Sequence, residues 1–334
     1  MVSPMRAISY KGGTNPSEAL HPIDVKIPTP KKNQVLVKVK ASSLNIIDFE
    51  RFINQSKLST FARLINVLQG KNAVLGGEVS GTIVTMGNCV TDFQIGNQVF
   101  GPTVGAMQFG GWAEYALCES KTLAMKPCYL TYEQAAVIPL SGLTALGAVE
   151  TVNIRHGNDV LIYGASGGVG LYMLQILKAK GVNVTAVCSR RNLKLVQSFN
   201  VHKVICYQNE DVFRCGQLFD VVISVNGNQP IRKFLKLLKP EGQYLVVGNA
   251  RQIIHSILHS LTSKNVKIFS SVLGHNRETI DQLVELLEEE KITPFIDKIY
   301  KISDVVQAVN YIVNEHAQGK VALTMDYGGE KNGR

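Results

Sequence analysis

The sequence predicts an α/β protein, with a doubly wound parallel sheet in the second half of the chain and a β-rich, barrel-like domain before it. Three observations lead to this prediction. Residues 159–180 contain a short apolar run, a turn with four glycines, and then apolar residues at helical spacing. Beyond residue 127, strand-like and helix-like segments alternate. Before residue 126, short strand-like segments are separated by glycine turns, with little helix.

Length and composition fit a soluble two-domain protein. The 334 residues exceed one ordinary domain, and 45% are hydrophobic against 18% charged. The net charge is +9, but Lys and Arg are scattered, which favours diffuse attraction to anions or acidic membrane surfaces over specific nucleic-acid binding. The six cysteines form no CxxC pair, and no apolar run reaches the length of a membrane span. We therefore expect reduced thiols, no transmembrane segment and a cytoplasmic protein.

The β-rich domain is predicted from short segments bounded by glycine or proline. Residues 35–41 alternate apolar and polar side chains, which indicates a half-exposed strand. Residues 42–51 indicate a polar loop that opens a helix. The other predicted strands of this domain lie at 5–9, 75–87, 96–101 and 110–116.

The parallel sheet is predicted from residue 127 onward. Residues 131–136 carry a capped helix start, and 141–149 form a helix of small residues. The strands are expected at 160–163, 182–187, 204–206, 220–224, 243–247 and 266–270, and further helices at 229–238 and 279–290. A last strand at 320–326 is expected to return to the β-rich domain. The predicted domains are therefore 1–126 with 292–334, and 127–291.

The glycine turn at Gly164, Gly167, Gly168 and Gly170 predicts a dinucleotide site. Glycines leave room for backbone N–H groups and the positive end of a helix dipole to meet a pyrophosphate. A glycine turn that only ends a strand is the alternative interpretation.

The segment after the second strand of the sheet indicates which dinucleotide is bound. An NAD site places an acidic residue there to bind the ribose hydroxyls, but residues 188–192 contain no acid. Ser189, Arg190 and Arg191 suit a 2′-phosphate, because guanidinium groups bind phosphate through paired hydrogen bonds. We therefore predict NADPH as the cofactor. The alternative is that the two arginines form only the solvated first turn of the next helix.

These motifs together resemble one enzyme family over nearly the whole chain. Residues 160–178, with Gln175 and Lys178, match the motif of the zinc-free quinone oxidoreductase branch of the medium-chain dehydrogenase/reductase superfamily. Asn45 and Asp48 match its Asn-x-x-Asp loop, although Ile46 replaces the usual proline. Residues 224–227 and 317–320 are similar to chloroplast-envelope quinone oxidoreductase homologues and alkenal/one reductases. The resemblance implies a GroES-like N-terminal domain and a Rossmann dinucleotide-binding domain.

The resemblance also implies roles for individual residues. Asn45 and Thr144 are the expected catalytic residues, because their counterparts lie beside the nicotinamide, with backbone N–H groups at 249–250 in support. Tyr207 matches a tyrosine near the adenosine phosphate, but a surface residue at a strand end is an equal alternative. The full set of expected cofactor-binding residues is Asn45, Thr144, Gly164, Ser166, Gly167, Gly168, Val169, Ser189, Arg190, Arg191, Tyr207, Asn226, Gly248, Asn249 and Lys320.

No metal site is expected. Related alcohol dehydrogenases bind zinc through a cysteine, where this chain has Asn45, and through a Gly-His-Glu triplet, where it has Gly76, Gly77 and Glu78. With the sulfur and the imidazole both missing, too few ligands remain. His255 and His259 share helical spacing but have no acid or cysteine nearby, so we expect them on the surface.

The chemistry expected without zinc is hydride transfer to a carbon conjugated to a carbonyl. The expected partner is an electrophilic small molecule, an enone, an alkenal or a quinone, with the proton taken from water. A second hypothesis is an NADPH-binding protein with vestigial catalysis and a regulatory or peripheral membrane or RNA-associated role, because Glu50 replaces a substrate-facing tyrosine. A zinc alcohol dehydrogenase is opposed by the ligand count. We also expect residues 54–71 to cap the substrate pocket and residues 266–273 to pair a homodimer.

Overall fold

The computed structural model describes residues 4–49, 73–104, 110–248, 253, 256, 257, 260, 263, 265–269, 276–315 and 317–327. The chain separates into two compact units, Met1–Leu140 with Ile296–Arg334, and Ser141–Phe295. The expected lid at 54–71 and positions 270–273 of the expected dimer edge lie outside the described residues.

The strands follow the chain in this order: β1 Pro4–Tyr10, β2 Leu20–Lys26, β3 Gln34–Leu44, β4 Ala73–Val74, β5 Glu78–Met86, β6 Gln98–Pro102, β7 Tyr115–Glu119, β8 Ala124–Met125, β9 Asp159–Tyr163, β10 Asn183–Cys188, β11 Lys203–Cys206, β12 Phe219–Val225, β13 Leu238–Val247, β14 Val266–Phe269, β15 Ile296–Lys301 and β16 Lys320–Thr324. The helices are α1 Pro16–Ala19, α2 Ile46–Phe49, α3 Tyr132–Ala136, α4 Pro139–Glu150, α5 Gly168–Ala179, α6 Leu193–Ser198, α7 Ile231–Leu235, α8 Arg277–Glu288 and α9 Val305–Glu315. Among the described residues, no helix is both long and apolar enough to cross a membrane.

The first unit is built from two sheets. The smaller sheet has the order β2-β1-β4, and the larger has the order β15-β16-β3-β5-β6-β8, with β7 also paired to β3. Strand β16 runs antiparallel to β3, with Val321 opposite Leu44. The expected return of the last strand to the β-rich domain is therefore confirmed. Trp112, which is fully buried, donates its indole N–H to the carbonyl of Ser43 at 3.2 Å.

The second unit contains a six-stranded parallel sheet in the order β11-β10-β9-β12-β13-β14. The sequence order reverses at β9, which is the switch point of a doubly wound fold. Strand β9 is buried at Val160, Leu161 and Ile162, as expected for a parallel strand covered on both faces. The carboxyl ends of the parallel strands meet at one edge of the sheet, where such folds bind ligands. The predicted fold class is confirmed.

Local sequence accounts for the helix ends. Thr131 and Gln134 form a capping box at the start of α3, each side chain bonding to the other residue's backbone N–H. Asn276 caps α8 by accepting the N–H of Thr279. On α8 the buried residues recur at three- and four-residue spacing, at Thr279, Ile280, Leu283 and Leu287.

Some expected elements were wrong. Residues 42–44 extend β3 instead of forming a loop, because they pair with β5 and β16. Helix α7 is shorter than the expected 229–238, because Leu238 already pairs with Phe219 and begins β13. Strand β2 was not expected, although it pairs with β1 along its whole length.

Helix α3 packs against β3 and β5 of the first unit, whereas we expected it in the second domain. The domain boundaries at 126/127 and 291/292 stay a prediction.

A cluster of charges ties strands together at the amino-terminal edge of the parallel sheet. Lys239 Nζ lies 2.9 Å from Asp159 Oδ2 and 2.9 Å from Asp220 Oδ2. Asp220 also accepts the backbone N–H of Asp159 at 2.8 Å. Burial acts to raise the pKa of Asp220, but the hydrogen bonds from Lys239 and from the Asp159 N–H outweigh it and lower the pKa below 3.8.

We predict that Asp220→Asn lowers the melting temperature at pH 7 by about 1–3 °C, since a partly exposed ion pair is worth little. Because the pKa of Asp220 is lower in the folded protein than in the unfolded chain, its negative charge stabilises the fold. This stabilisation is fully present above the unfolded-state pKa and is lost as the pH falls through the folded-state pKa. The difference between wild type and variant is therefore expected to hold from pH 7 to 5 and to shrink below pH 3.8. Thermal unfolding across this range measures it, with Glu241→Gln on exposed Glu241 as control. A difference that stays constant down to acid pH would contradict the assignment to the Asp220 charge.

Candidate functional site

The glycine turn follows β9 and is tightly packed against the backbone. Gly164 has φ +89°, and a Cβ there would collide with the carbonyl oxygen of Val225. A Cβ on Gly170 would lie 2.5 Å from the carbonyl oxygen of Gly164. Glycine is required at both positions, the first for its left-handed conformation and the second for the close approach of helix and turn.

Gly167 differs from these two glycines because it borders open space. It is exposed, has φ −78° and ψ 168°, and precedes α5 without a side-chain cap. A Cβ there would meet only the carbonyl oxygen of Gly164, 3.9 Å away. The first N–H groups of a helix have no partner within the helix and attract anions. Gly168 and Val169 supply such N–H groups from partly exposed positions, so this helix start fits a diphosphate.

The end of β10 places a hydroxyl and two guanidinium groups beside the turn. Arg190 and Arg191 are exposed and lie in a short 3₁₀ turn that begins after Ser189. The Arg190 guanidinium donates to Asn209 Oδ1 at 2.6 Å. Asn192 donates its side-chain N–H to Ser166 Oγ at 2.8 Å, which joins this turn to the glycine turn. The arrangement fits a phosphate on the adenosine ribose.

The thiol of Cys188 carries no charge that would oppose a phosphate. Cys188 and Cys206 are buried and lie opposite each other in the β10–β11 pair. Burial, and then the neighbouring Cys206, raises the pKa of Cys188 to about 11. Tyr207 follows β11, donates its backbone N–H to the carbonyl of Cys188 at 3.1 Å, and is 50% exposed.

A cleft of about 230 Å³ opens beside Tyr207, with Tyr163 and Phe213 also among its walls. Tyr163 and Phe213 have ring centroids 6.1 Å apart. Aromatic walls of this kind suit a flat heterocycle such as adenine.

The ends of β12 and β13 also meet at this edge. Asn226 adopts the left-handed conformation, with φ +48°, and donates its backbone N–H to the carbonyl of Val247 at 2.9 Å. Gly248 has φ +84°, and a Cβ there would collide with the Asn226 side chain. The structure thus brings Asn226 and Gly248 together, as expected for loops lining a dinucleotide. Asn249 lies outside the described residues, and Thr144 is a buried residue of α4.

In the first unit, the fully buried Glu78 is a hydrogen-bond centre that joins two predicted site residues. Its Oε1 accepts from Ser43 Oγ, from Asn45 Nδ2 at 2.9 Å and from Lys320 Nζ at 2.8 Å. Its Oε2 accepts the backbone N–H of Leu140 at 2.6 Å. We call Ser43, Asn45, Glu78 and Lys320 the Glu78 network.

Asn45 is held at every polar group of its side chain. Its Oδ1 accepts from Lys320 Nζ at 2.5 Å, and its Nδ2 donates to Glu78 and, at 3.3 Å, to Ser43 Oγ. Its backbone N–H donates to Asp48 Oδ2 at 2.9 Å, and Asp48 Oδ1 accepts the N–H of Gly76 at 3.1 Å.

The Glu78 network includes Asn45 and Glu78, which the resemblance to alcohol dehydrogenases aligns with zinc-binding positions. Asn45 and Gly77 replace the cysteine and histidine donors, and the remaining carboxylate is bonded to an ammonium group. Among the described residues, no three His, Cys, Asp or Glu side chains are grouped to hold a metal ion. An amide and an ammonium are poor zinc donors, so the residues present do not fit zinc.

Sequence reasoning missed the roles of Ser43 and Glu78 and the ion pair made by Lys320. The available signal was an acidic residue inside an apolar, glycine-flanked strand, because buried carboxylates are usually paired. The predicted contact of Lys320 with the cofactor stays a prediction, as do the other cofactor contacts.

Comparison with known proteins gives consistent matches. Residues 31–128 match the family described as "Alcohol dehydrogenase GroES-like domain", and residues 199–323 match "Zinc-binding dehydrogenase". Quinone oxidoreductase of Sus scrofa is 31% identical over 316 residues, which are 90% of this chain and 92% of that protein. The chloroplastic NADPH-dependent alkenal/one oxidoreductase of Arabidopsis thaliana is 29% identical over 309 residues, 90% of this chain and 74% of that protein. The solved quinone oxidoreductase from Coxiella burnetii gives a TM-score of 0.87 at 27% identity, covering 97% of this chain and all of that one.

We predict that Gly167→Val leaves the melting temperature within about 1 °C of wild type, because any residue adopts its backbone conformation and the space is open. The added side chain is expected to weaken NADPH binding by about tenfold, or ~1.4 kcal/mol, by filling the place of the diphosphate. Fluorescence titration of NADPH measures the binding. Gly170→Ala is the matched control, because it meets the backbone and is expected to lower the melting temperature. Unchanged NADPH affinity in Gly167→Val would place the diphosphate elsewhere.

Proposed function

The chain belongs to the zinc-free quinone oxidoreductase branch of the medium-chain dehydrogenase/reductase superfamily, and from this premise we propose that it is an NADPH-dependent oxidoreductase. Its proposed acceptor is an α,β-unsaturated ketone or aldehyde, or a quinone. The observation that carries the proposal is the Glu78 network, in which Asn45 and Lys320 take up the carboxylate at the position of the zinc site. The described residues of this network include no donor set for a Lewis acid, which supports a substrate that is activated by its own conjugation.

Bound NADPH supplies two electrons and a proton as hydride, which adds to the β-carbon of an enone or to a quinone and leaves an enolate or hydroquinone anion. In the first unit, Asn45 is proposed to orient the nicotinamide. In the second unit, Thr144 is proposed to contact it from α4. The proton that completes the reduction is assigned to water.

The phosphate end supports NADPH over NADH. Arg190 and Arg191 are exposed at the end of β10, and the adjoining residues 188–192 include no acid. A carboxylate there would repel a 2′-phosphate, whereas two guanidinium groups attract it. The relative from A. thaliana, which is named as NADPH-dependent and as acting on alkenals and enones, supports the same assignment.

The proposal includes the class of acceptor, a cytoplasmic localisation and a homodimer. The relative from Sus scrofa is named for quinones and that from A. thaliana for alkenals and enones, so both classes belong in one assay. The latter is chloroplastic, and cytoplasmic localisation of this chain stays a prediction. Strand β14 lies at an edge of the parallel sheet, where we expected a homodimer to pair.

We predict that the purified protein, treated with a chelator, oxidises NADPH in the presence of an enone, an alkenal or a quinone. Loss of absorbance at 340 nm measures turnover, and omission of the acceptor is the control. Activity that disappears with the chelator and returns with Zn²⁺ would contradict the zinc-independent mechanism. Binding of NADPH without turnover of any acceptor would favour the alternative of a regulatory NADPH-binding protein.

We further predict that the double variant Arg190→Ala/Arg191→Ala raises the KM for NADPH by about 10–100-fold, because two charge-assisted contacts to phosphate are lost. The KM for NADH is expected to change less than about threefold, since NADH lacks the 2′-phosphate. Steady-state kinetics with both cofactors measure the difference. Arg155→Ala, at an exposed position before β9 and therefore at the opposite edge of the sheet, is the control. Equal increases for both cofactors would reject the 2′-phosphate assignment.

A further inference from the structure

A buried ion pair lies beside Asn45 in the first unit. Lys320 Nζ is 2.8 Å from Glu78 Oε1, and the two side chains are 5% and 0% exposed. Moving two charges out of water has a desolvation cost that their attraction often fails to exceed, so such a pair is weak evidence for stability. The ion pair is better explained by the side chain that it holds in place.

The ammonium group of Lys320 uses all three of its N–H bonds within the protein. They point to the carbonyl oxygen of Leu44 at 3.2 Å, to Asn45 Oδ1 at 2.5 Å and to Glu78 Oε1 at 2.8 Å. An ammonium group has three donors and no acceptor. These partners include Asn45, so the ammonium group helps to hold the Asn45 side chain.

The ion pair selects one of the two orientations of the Asn45 amide. In the observed orientation the amide oxygen faces the ammonium and the amide nitrogen faces the carboxylate. Turning the amide over would bring NH₂ against the Lys320 ammonium and oxygen against the Glu78 carboxylate. Both new contacts would be repulsive in a buried site, where electrostatic interactions are strong.

The two acceptors of the Asn45 amide nitrogen, Glu78 Oε1 and Ser43 Oγ, are hydrogen-bonded to each other and therefore lie in nearly the same direction, so they share one of its N–H bonds. The second N–H bond and a second lone pair of the amide oxygen, beyond the one facing Lys320, stay available. Asn45 is partly exposed, so this lone pair and this N–H are the hydrogen-bonding capacity that its side chain retains toward a ligand.

We propose that Lys320 is a positioning residue that, together with Glu78, fixes the orientation of the Asn45 amide, so that the amide oxygen can accept a hydrogen bond from the nicotinamide end of the cofactor. The proposal rests on the proposed function. The cofactor group that fits is an N–H or O–H donor, such as the nicotinamide carboxamide or a ribose hydroxyl. Through this contact Asn45 orients the hydride donor.

The orientation of Asn45 is tested by NMR on ¹⁵N-labelled protein without cofactor. Its side-chain NH₂ signals are the pair missing from Asn45→Ser, and those of exposed Asn88 are a reference assigned in the same way. In wild type, the Asn45 NH₂ protons are expected to exchange with water about tenfold more slowly than those of Asn88. In Lys320→Met they are expected to exchange at nearly the reference rate. Fast exchange in wild type, or unchanged slow exchange in Lys320→Met, would overturn the proposal.

Kinetics separate positioning from mere structural support. In Lys320→Met, kcat with NADPH and an enone is expected to fall by about tenfold because the hydride donor is misaligned. The Kd for NADPH is expected to stay within about threefold of wild type, because the phosphate contacts remain. Lys301→Met is the matched control, since Lys301, at the end of the neighbouring strand β15, forms an exposed ion pair with Asp326. A lower melting temperature with unchanged kcat and unchanged exchange would show a structural role only.

If Lys320→Met fails to fold because it leaves the Glu78 charge unpaired, the double variant Glu78→Gln/Lys320→Met replaces it in both measurements, since it leaves no unpaired buried charge. If wild type turns over no acceptor, the proposed function fails, while the exchange rates still decide whether Lys320 fixes Asn45.

Discussion

The buried carboxylate of Glu78 is the constraint on which the first unit depends. A buried charge is tolerated only when it is paired and hydrogen-bonded, and the four donors to Glu78 come from three separate segments of the chain. Ser43 and Asn45 come from the end of β3, Lys320 from the start of β16 and Leu140 from the start of α4. The pairing of β3 with β5 and β16 therefore brings the donors to the Glu78 carboxylate as well as packing the hydrophobic core.

The dinucleotide-binding half was largely predictable from the sequence, because its signals are local. Gly164 and Gly170 are required by contacts with backbone only a few residues away or on an adjoining strand. The helix that follows, the reversal of strand order at β9 and the basic turn at Arg190 arise from segments that are continuous in sequence. Parallel strands joined by crossovers leave few alternative topologies, so the fold class followed from the pattern.

The rest depended on pairing between distant segments. Lys320 and Glu78 are 242 residues apart, and they meet because β16 lies beside β3 while β3 pairs with β5. Sequence spacing does not predict this contact between Lys320 and Glu78, nor does it predict which end of the Asn45 amide faces which charge. Strand β2 and the end of helix α7 were mispredicted for the same reason. Their bounds are set by pairing with other strands, β1 with β2 and β12 with β13, and not by the local sequence.

Charge balance links this network to the proposed chemistry. In a zinc enzyme the cation has an open position at which it polarises a substrate oxygen. Here the cation is the ammonium of Lys320, and its three N–H bonds are directed to Leu44, Asn45 and Glu78. A cation without a remaining donor balances the carboxylate but stabilises no alkoxide. This charge balance supports the proposal that hydride is transferred to acceptors that delocalise the incoming charge themselves, which is the property shared by enones, alkenals and quinones.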